Sequence, residues 1–387
     1  MGVIEDIVAK QGTFAEWRQA MHENPGLGFQ ETFAAEMVEA KLKEFGMDEI
    51  HTGIGGTGIV GVLHGKRPSN RSIGLRADMD ALPIEEETGK PYSSKVPGVM
   101  HACGHDGHTA TLLATAWHLS RNRDFAGKVH FIFQPAEEGL GGALAMLKDG
   151  LLDRFPCDRI YAYHNIPGWE TGSMFTRPGR LMAGSIFFTI RVQGRGGHAA
   201  MPQSTVDATQ IAANIVTTAQ SIVARNIDPT ETGIVSFTDV YAGTNSFNVI
   251  PDKATLKGCL RFFDKQIGTQ MAERLEAVAK GVTETYGGSV EVEFEEIFVP
   301  LVNDPEATAV AVAAAIETVG ADKVDGNIRP ITGSEDFAYM IGDLPGNYIW
   351  VGAGPGAMPH NPGFDFNDEI MPVVASYFCN LVQKELA

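Results

Sequence analysis

The densest chemistry in the chain lies in eight consecutive residues, His101-Ala-Cys103-Gly-His105-Asp106-Gly-His108. Cys103 and His105, two apart, can present a thiolate and an imidazole to one metal ion or to two neighbouring ions. Glycines at 104 and 107 let the backbone bend tightly around them. The plainer alternative is a polar loop before a helix, with Asp106 near the helix N-terminus. Three histidines, one cysteine and one aspartate in so short a stretch favour the metal. A pair of acids follows in Gln134-Pro-Ala-Glu137-Glu138-Gly139, just beyond the apolar run His130–Phe133. Carboxylates at the C-terminal end of a parallel strand sit where α/β sheets bind ligands. Adjacent acids also commonly start a helix, where they complement its dipole. The functional reading makes one a metal ligand and the other a general base. Successive residues at a strand end point different ways, so they can divide those roles.

His164, in Tyr161-Ala-Tyr-His164-Asn165, and His360, in Met358-Pro-His360-Asn-Pro362, each follow or end an apolar run. Either alone reads as structural. With Cys103, His105 and a glutamate they make a Cys, His, Glu, His, His set. Five protein ligands exceed one tetrahedral zinc site with an open position and suit two metals with a bridging ligand. His198, in Gln193-Gly-Arg-Gly-Gly-His198, can reach from a glycine loop into a cleft and hydrogen-bond a developing oxyanion. Its alternative is a turn residue. A different chemistry would use Cys103 as a nucleophile with His105 or His101 as its base. Gly53-Ile-Gly-Gly-Thr-Gly58 matches GxGxxG, but a strand rather than a helix follows it, so a glycine turn is the better account.

The elements that position these residues form two patterns. Strands at Ile59–Leu63, Ile73–Ala77, Val129–Phe133, Arg159–Tyr163 and Tyr348–Val351 alternate with helices at Asp106–Leu119, Glu137–Leu147, Glu306–Val319 and Glu369–Leu386. The first 50 residues read as helices broken at Pro25 and Gly26. This alternation predicts an α/β domain with a mainly parallel sheet. The middle differs. Strand Ile186–Val192, helix Val206–Ala224, strands Ile234–Tyr241 and Ala254–Phe263, helix Gln266–Thr285 and strand Val290–Phe298 give the order β-α-β-β-α-β of a ferredoxin-like sandwich. The expected organisation is a larger α/β domain over 1–183 and 299–387, with a smaller domain inserted over 184–298.

The 387 residues carry 30 Lys+Arg against 48 Asp+Glu, a net charge of −18, which argues against nucleic-acid and anionic-membrane partners. No run approaches about 20 apolar residues, so no membrane span is expected. The start, MGVIEDIVAK, lacks the basic n-region of a secretory signal. Four widely spaced cysteines without a CxxC pair suggest a reducing, cytoplasmic setting.

Eight segments recur in a familiar order: MHENPGLGFQE (21–31), LRADMDALPIEE (75–86), HACGHDGH (101–108), QPAEEG (134–139), GRGGHAAMP (194–202), NVIPD (248–252), GSEDF (333–337) and HNPGFDFND (360–368). On these motifs the chain resembles the aminoacylase/carboxypeptidase metallopeptidase family, within it the branch of hippurate hydrolases and indole-acetyl-amino-acid hydrolases. The resemblance implies a catalytic α/β domain with two divalent ions and a lid domain used in dimerisation. It matches Cys103 to a bridging thiolate, and His105, Glu138, His164 and His360 to the remaining ligands. It matches Glu137 to the general base and His198 to a lid histidine that relatives supply across the dimer. The wider family has His-x-Asp where this chain has Arg76-Ala77-Asp78. His105 then replaces the missing ligand, and Asp78 is left as an orienting residue. Gln203 stands where many relatives of the branch have histidine, which alters the lid contact.

The reaction so implied is metal-assisted hydrolysis of an N-acyl-amino acid, hippurate-like, N-acetyl or aryl-acyl, to a carboxylic acid and a free amino acid. Asn248 and Arg261 on the lid are candidates for the substrate carboxylate, Arg being suited to bidentate contact. The alternative for Arg261 is a strand-surface charge. A thiolate donor is compatible with zinc, nickel or cobalt; relatives also use manganese. The implied assembly is a homodimer through the lid, or a tetramer of such dimers. The competing activity is that of a dinuclear dipeptidase or carboxypeptidase.

Overall fold

Val129-His-Phe-Ile-Phe133 is buried residue after residue, the pattern of a strand covered on both faces. It lies within Ala126–Gln134, one of four strands that run parallel at the centre of an eight-stranded sheet. The central order is Ala126–Gln134, Arg67–Asp78, Arg159–Ile166 and Gly346–Gly352. The register sets Asp78 opposite Gln134, and His164 opposite Trp350. One edge is an antiparallel hairpin of Glu49–Ile54 and Gly58–His64, so the glycines of the GxGxxG match form its turn. The other edge carries the short strands Met174–Phe175 and Val324–Asp325. The computed structural model describes residues 2–342 and 344–387. Among these, no helix is long and apolar enough to cross a membrane.

This sheet belongs to the larger of two compact units, which takes the chain up to Leu181, then Val302–Arg329 and Asp336–Ala387. Helix His105–Arg121 runs through its core, against Met371–Glu385, Gln11–Glu23, Thr32–Phe45 and strand Arg67–Asp78. Gly104 opens this helix at φ 99°, where a Cβ would lie 2.5 Å from Asn165 Oδ1. Only glycine fits there, and it lets Cys103 and His105 bracket the helix start. Helix Pro305–Val319 begins where Asp304 accepts the Ala307 N–H and proline occupies the first turn.

The helix expected over Glu137–Leu147 begins only at Gly142. Left-handed Ala136, Gly139 and Gly141, at φ 53°, 79° and 75°, make residues 136–141 a turn. The acids therefore leave the strand on an irregular loop and do not head a helix.

The smaller unit comprises Met182–Leu301 with Pro330–Glu335. Its antiparallel sheet has the order Gly233–Ala242, Lys253–Phe262, Gly184–Gln193, Ser289–Phe298. Ile186, Phe188, Ile190 and Val192 alternate onto the buried face. Ile211 and Ile215 of helix Ala208–Ala219, and Met271 and Leu275 of helix Lys265–Tyr286, pack in the same core. The single helix expected over Val206–Ala224 is divided into Ala208–Ala219 and Ser221–Asn226.

Candidate metal centre

The C-terminal ends of the parallel strands, where α/β sheets form ligand sites, bring together six of the residues singled out above. Cys103, His105 and His164 have donor atoms within 4.8 Å of one another, and so do Cys103, Glu138 and His360. The two groups share Cys103. A third group joins His105, Glu137 and Glu138. Cys103 Sγ lies 3.3 Å from His164 Nε2. Glu138 Oε1 lies 3.2 Å from His360 Nε2 and 4.0 Å from His105 Nε2.

Each histidine is oriented by its other nitrogen or its backbone. His164 Nδ1 is 2.7 Å from the Asn165 carbonyl, which turns Nε2 toward Cys103. His105 Nδ1 is 3.0 Å from both the carbonyl oxygen and Oδ1 of Asp80. Its Nε2 is buried and has no hydrogen-bond partner. A buried imidazole nitrogen held in this way fits the position of a metal ligand atom. His360 has φ 65°, and its N–H donates to the Ala102 carbonyl at 2.7 Å, tying its loop to the Cys103 segment. Such strain in a non-glycine residue collects at functional sites.

The electrostatics suit a cation. Burial pushes the Cys103 thiol up, and the Glu138 carboxylate adds to the rise. A cation beside the sulfur reverses that preference and stabilises the thiolate. Burial holds His164 well below the usual histidine range, with His108 adding, so it stays a neutral donor. Hydrogen bonds to Cys103 and Glu138 raise His360 to about 10, the mark of a negative surrounding in which a bound cation would take the place of that proton. The donor set of one thiolate, one carboxylate and three imidazoles fits two borderline divalent ions.

Glu137 is 7 % exposed, and its Oε1 accepts the Asp336 N–H at 3.3 Å. Asp336 is anchored by Arg76, which is fully buried between Asp336 Oδ1 at 3.1 Å and Asp78 Oδ2 at 2.7 Å. Arg76 Nε also donates to Gln134 Oε1 at 2.8 Å. A buried guanidinium persists only with such partners.

Asp78 has a donor atom within 4.8 Å of those of His105 and His108. It faces His108, with Oδ1 2.6 Å from Nδ1, while its Oδ2 is 3.8 Å from His105 Nε2. The residue bonded to His105 is Asp80, whose Oδ2 also accepts the Glu138 N–H at 2.9 Å. Sequence reasoning misses Asp80, which lies two residues past the end of the strand Arg67–Asp78. His108 was likewise passed over, although it stands one helical turn from His105 and its Nε2 lies 2.7 Å from Asn165 Oδ1.

His198, Asn248 and Arg261 belong to the smaller unit. His198 is exposed in the short strand Gly197–His198, opposite Val249. Its Nδ1 accepts the Ala200 N–H at 3.1 Å. The neighbouring Asn248 carbonyl accepts the Ala199 N–H at 2.9 Å. Arg261 is half-buried and donates to Ser334 Oγ at 2.7 Å.

Comparison with known proteins gives a consistent result. The profile of Peptidase family M20/M25/M40 matches residues 74–384. The chain is 40 % identical over 386 residues to a hippurate hydrolase of Campylobacter jejuni, covering 100 % of both chains. It is 37 % identical to an N-acetylcysteine deacetylase of Bacillus subtilis, covering 94 % of each. The crystal structure of a dinuclear metal binding peptidase of the M20 family from Bacillus subtilis superposes with a TM-score of 0.83 at 33 % identity. That match covers 98 % of this chain and 99 % of the other.

Proposed function

The chain belongs to peptidase family M20/M25/M40 and is a hydrolase of amide bonds, and from that premise we propose that its substrates are N-acyl-amino acids. The products are a carboxylic acid and a free amino acid. The observation that carries the reading is the pair of donor groups sharing Cys103, with Glu137 beside them. The relatives named for hippurate and N-acetylcysteine, both acyl-amino acids, support the substrate class.

We assign Cys103, His105 and His164 to one divalent ion and Cys103, Glu138 and His360 to a second. Zinc, nickel and cobalt suit the thiolate and imidazoles of this set, while manganese suits its carboxylate. When bound, such ions supply Lewis-acid chemistry, lowering the pKa of water and polarising a carbonyl. Glu137 takes the proton of the attacking water and later delivers it to the leaving nitrogen. The Asp336 N–H on Oε1 fixes the direction from which Glu137 does so. His198 is assigned to the developing oxyanion, supplied across a homodimer formed through the smaller unit. Arg261 and Asn248 are assigned to the substrate carboxylate; the bond to Ser334 holds Arg261 in a fixed direction. The strand order of the smaller unit supports a ferredoxin-like lid. The free cysteines of the chain support a cytoplasmic enzyme.

A second reading, a dipeptidase or carboxypeptidase, is favoured by the likeness to the Bacillus structure, which is described as a peptidase. One experiment separates the two. Chelator-stripped protein is reloaded with each metal in turn and assayed on N-acetyl-, N-benzoyl- and indole-acetyl-amino acids beside plain dipeptides. Metal-dependent release of amino acid from the acyl conjugates is expected. Turnover of dipeptides alone would replace the first reading with the second.

A further inference from the structure

The motif Met21–Glu31 has no part in the chemistry above, yet it ends on a carboxylate only 1 % exposed. Glu31 Oε1 accepts two backbone N–H groups, those of Phe29 and Ala136, each at 2.9 Å. Its Oε2 accepts the Thr57 hydroxyl. Both residues bonded through the backbone are left-handed, Phe29 at φ 64° and Ala136 at φ 53°. Only four non-glycine residues among those described have positive φ. That conformation presses Cβ toward the carbonyl oxygen and is held only where the surroundings over-determine it.

Ala136 is the residue before Glu137 and Glu138, and its φ sets how the chain leaves the strand Ala126–Gln134 toward them. Other contacts press on the same turn. The Gly142 N–H donates to the Ala136 carbonyl at 2.9 Å. Gly28, from the same motif as Glu31, lies so close that a Cβ there would be 3.0 Å from Ala136 Cβ. Glu31 is thus a tie between a loop near the N-terminus and the turn that carries both acids.

We propose that Glu31 is a positioning residue that aims Glu137 and Glu138 by accepting the Ala136 N–H, and that it takes no part in proton transfer. The inference rests on the roles proposed above for those two acids. Burial raises the proton affinity of Glu31, with the Thr57 hydroxyl opposing. Three donors converge on its two oxygens, so what a substitution must preserve is the acceptor that holds the Phe29 and Ala136 N–H groups.

The test compares Glu31→Gln with Glu31→Asp, each alone and combined with Ala136→Gly. The readouts are kcat and KM on N-benzoylglycine, and the chelator concentration that strips half the metal, both well below each variant's Tm. Glutamine keeps an oxygen that accepts both N–H groups and an amide that donates to Thr57. It should stay within about threefold of the parent in both readouts. Aspartate keeps the charge but is one methylene short. It should lose about tenfold or more in kcat with little change in KM, and need about tenfold less chelator, the usual scale for an outer support of a metal site. Glycine at 136 adopts positive φ without strain, so Ala136→Gly should restore much of what Glu31→Asp loses. Parent-like behaviour of Glu31→Asp would overturn the proposal. So would losses in Glu31→Gln equal to those in Glu31→Asp, because charge and not acceptance would then matter. Glu137→Gln serves as the control. If it turns over normally, the assignment of Glu137 fails, while the order of chelator resistance still reports on the turn.

Discussion

Asp80 supports two of the proposed ligand residues at once, so removing its side chain has a calculable effect. Its Oδ1 contacts His105 Nδ1 at 3.0 Å and its Oδ2 accepts the Glu138 N–H at 2.9 Å. In Asp80→Ala the Glu138 N–H loses its acceptor. An orphaned buried donor costs about 1–3 kcal/mol. The His105 ring keeps part of its support, because the Asp80 backbone carbonyl also lies 3.0 Å from Nδ1. The variant should therefore fold and still bind metal. If the bound form bears this cost, affinity falls about 5- to 140-fold, at about 1.4 kcal/mol per tenfold. The assay is competition with a chromogenic chelator, run beside thermal unfolding of the metal-free protein. Metal affinity within about threefold of the parent would refute the reasoning. A loss of metal-free stability with unchanged affinity would also refute it, since Asp80 would then support the fold and not the site.

Three further outcomes are expected. Glu137→Gln should keep its metal and lose about 10²- to 10⁴-fold in kcat, measured by single-turnover assay. His198→Ala should lower kcat with metal content unchanged. Mixing it with inactive Glu137→Ala should restore activity in proven heterodimers, and no recovery there would exclude catalysis across the dimer. The third concerns stability. Burial lowers His130 to about 4, with Lys128 adding, so the folded protein holds it neutral. The unfolded chain protonates it near 6.5. Its contribution is intact above about pH 6.5 and is lost as pH falls from there to about 4, a loss on the order of 3 kcal/mol. Chemical denaturation of His130→Gln between pH 7 and 4 should show a correspondingly flatter decline than the parent.

The clustering of the proposed ligands was legible because scarce residue types stood at strand ends or in a glycine-punctuated loop. Cys103 and His105 flank a glycine that no other residue could replace, and His164 closes a run of buried strand residues. The parallel centre of the sheet was legible for a related reason, since strands buried on both faces read as continuous apolar runs. The turn at 136–141 was not. Glu137 and Glu138 resemble a helix start, and nothing in Ala136 announces positive φ; tertiary bonds impose it. Asp80 and Glu31 were missed because their roles lie in partners far along the chain. Glu31 meets Ala136 across 105 positions. The strand Glu49–Ile54 was missed because it is a polar, half-exposed edge without a buried run.

Counting metal ions in a set of ligand variants tests the shared-thiolate centre most directly. Mass spectrometry of reconstituted protein should find about two ions per chain in the parent. His164→Ala and His360→Ala should each fall to about one, because each histidine belongs to a single donor group. Cys103→Ala should lose both, because both groups depend on it. Two tightly held ions in Cys103→Ala, or full turnover by metal-free parent protein, would contradict the account.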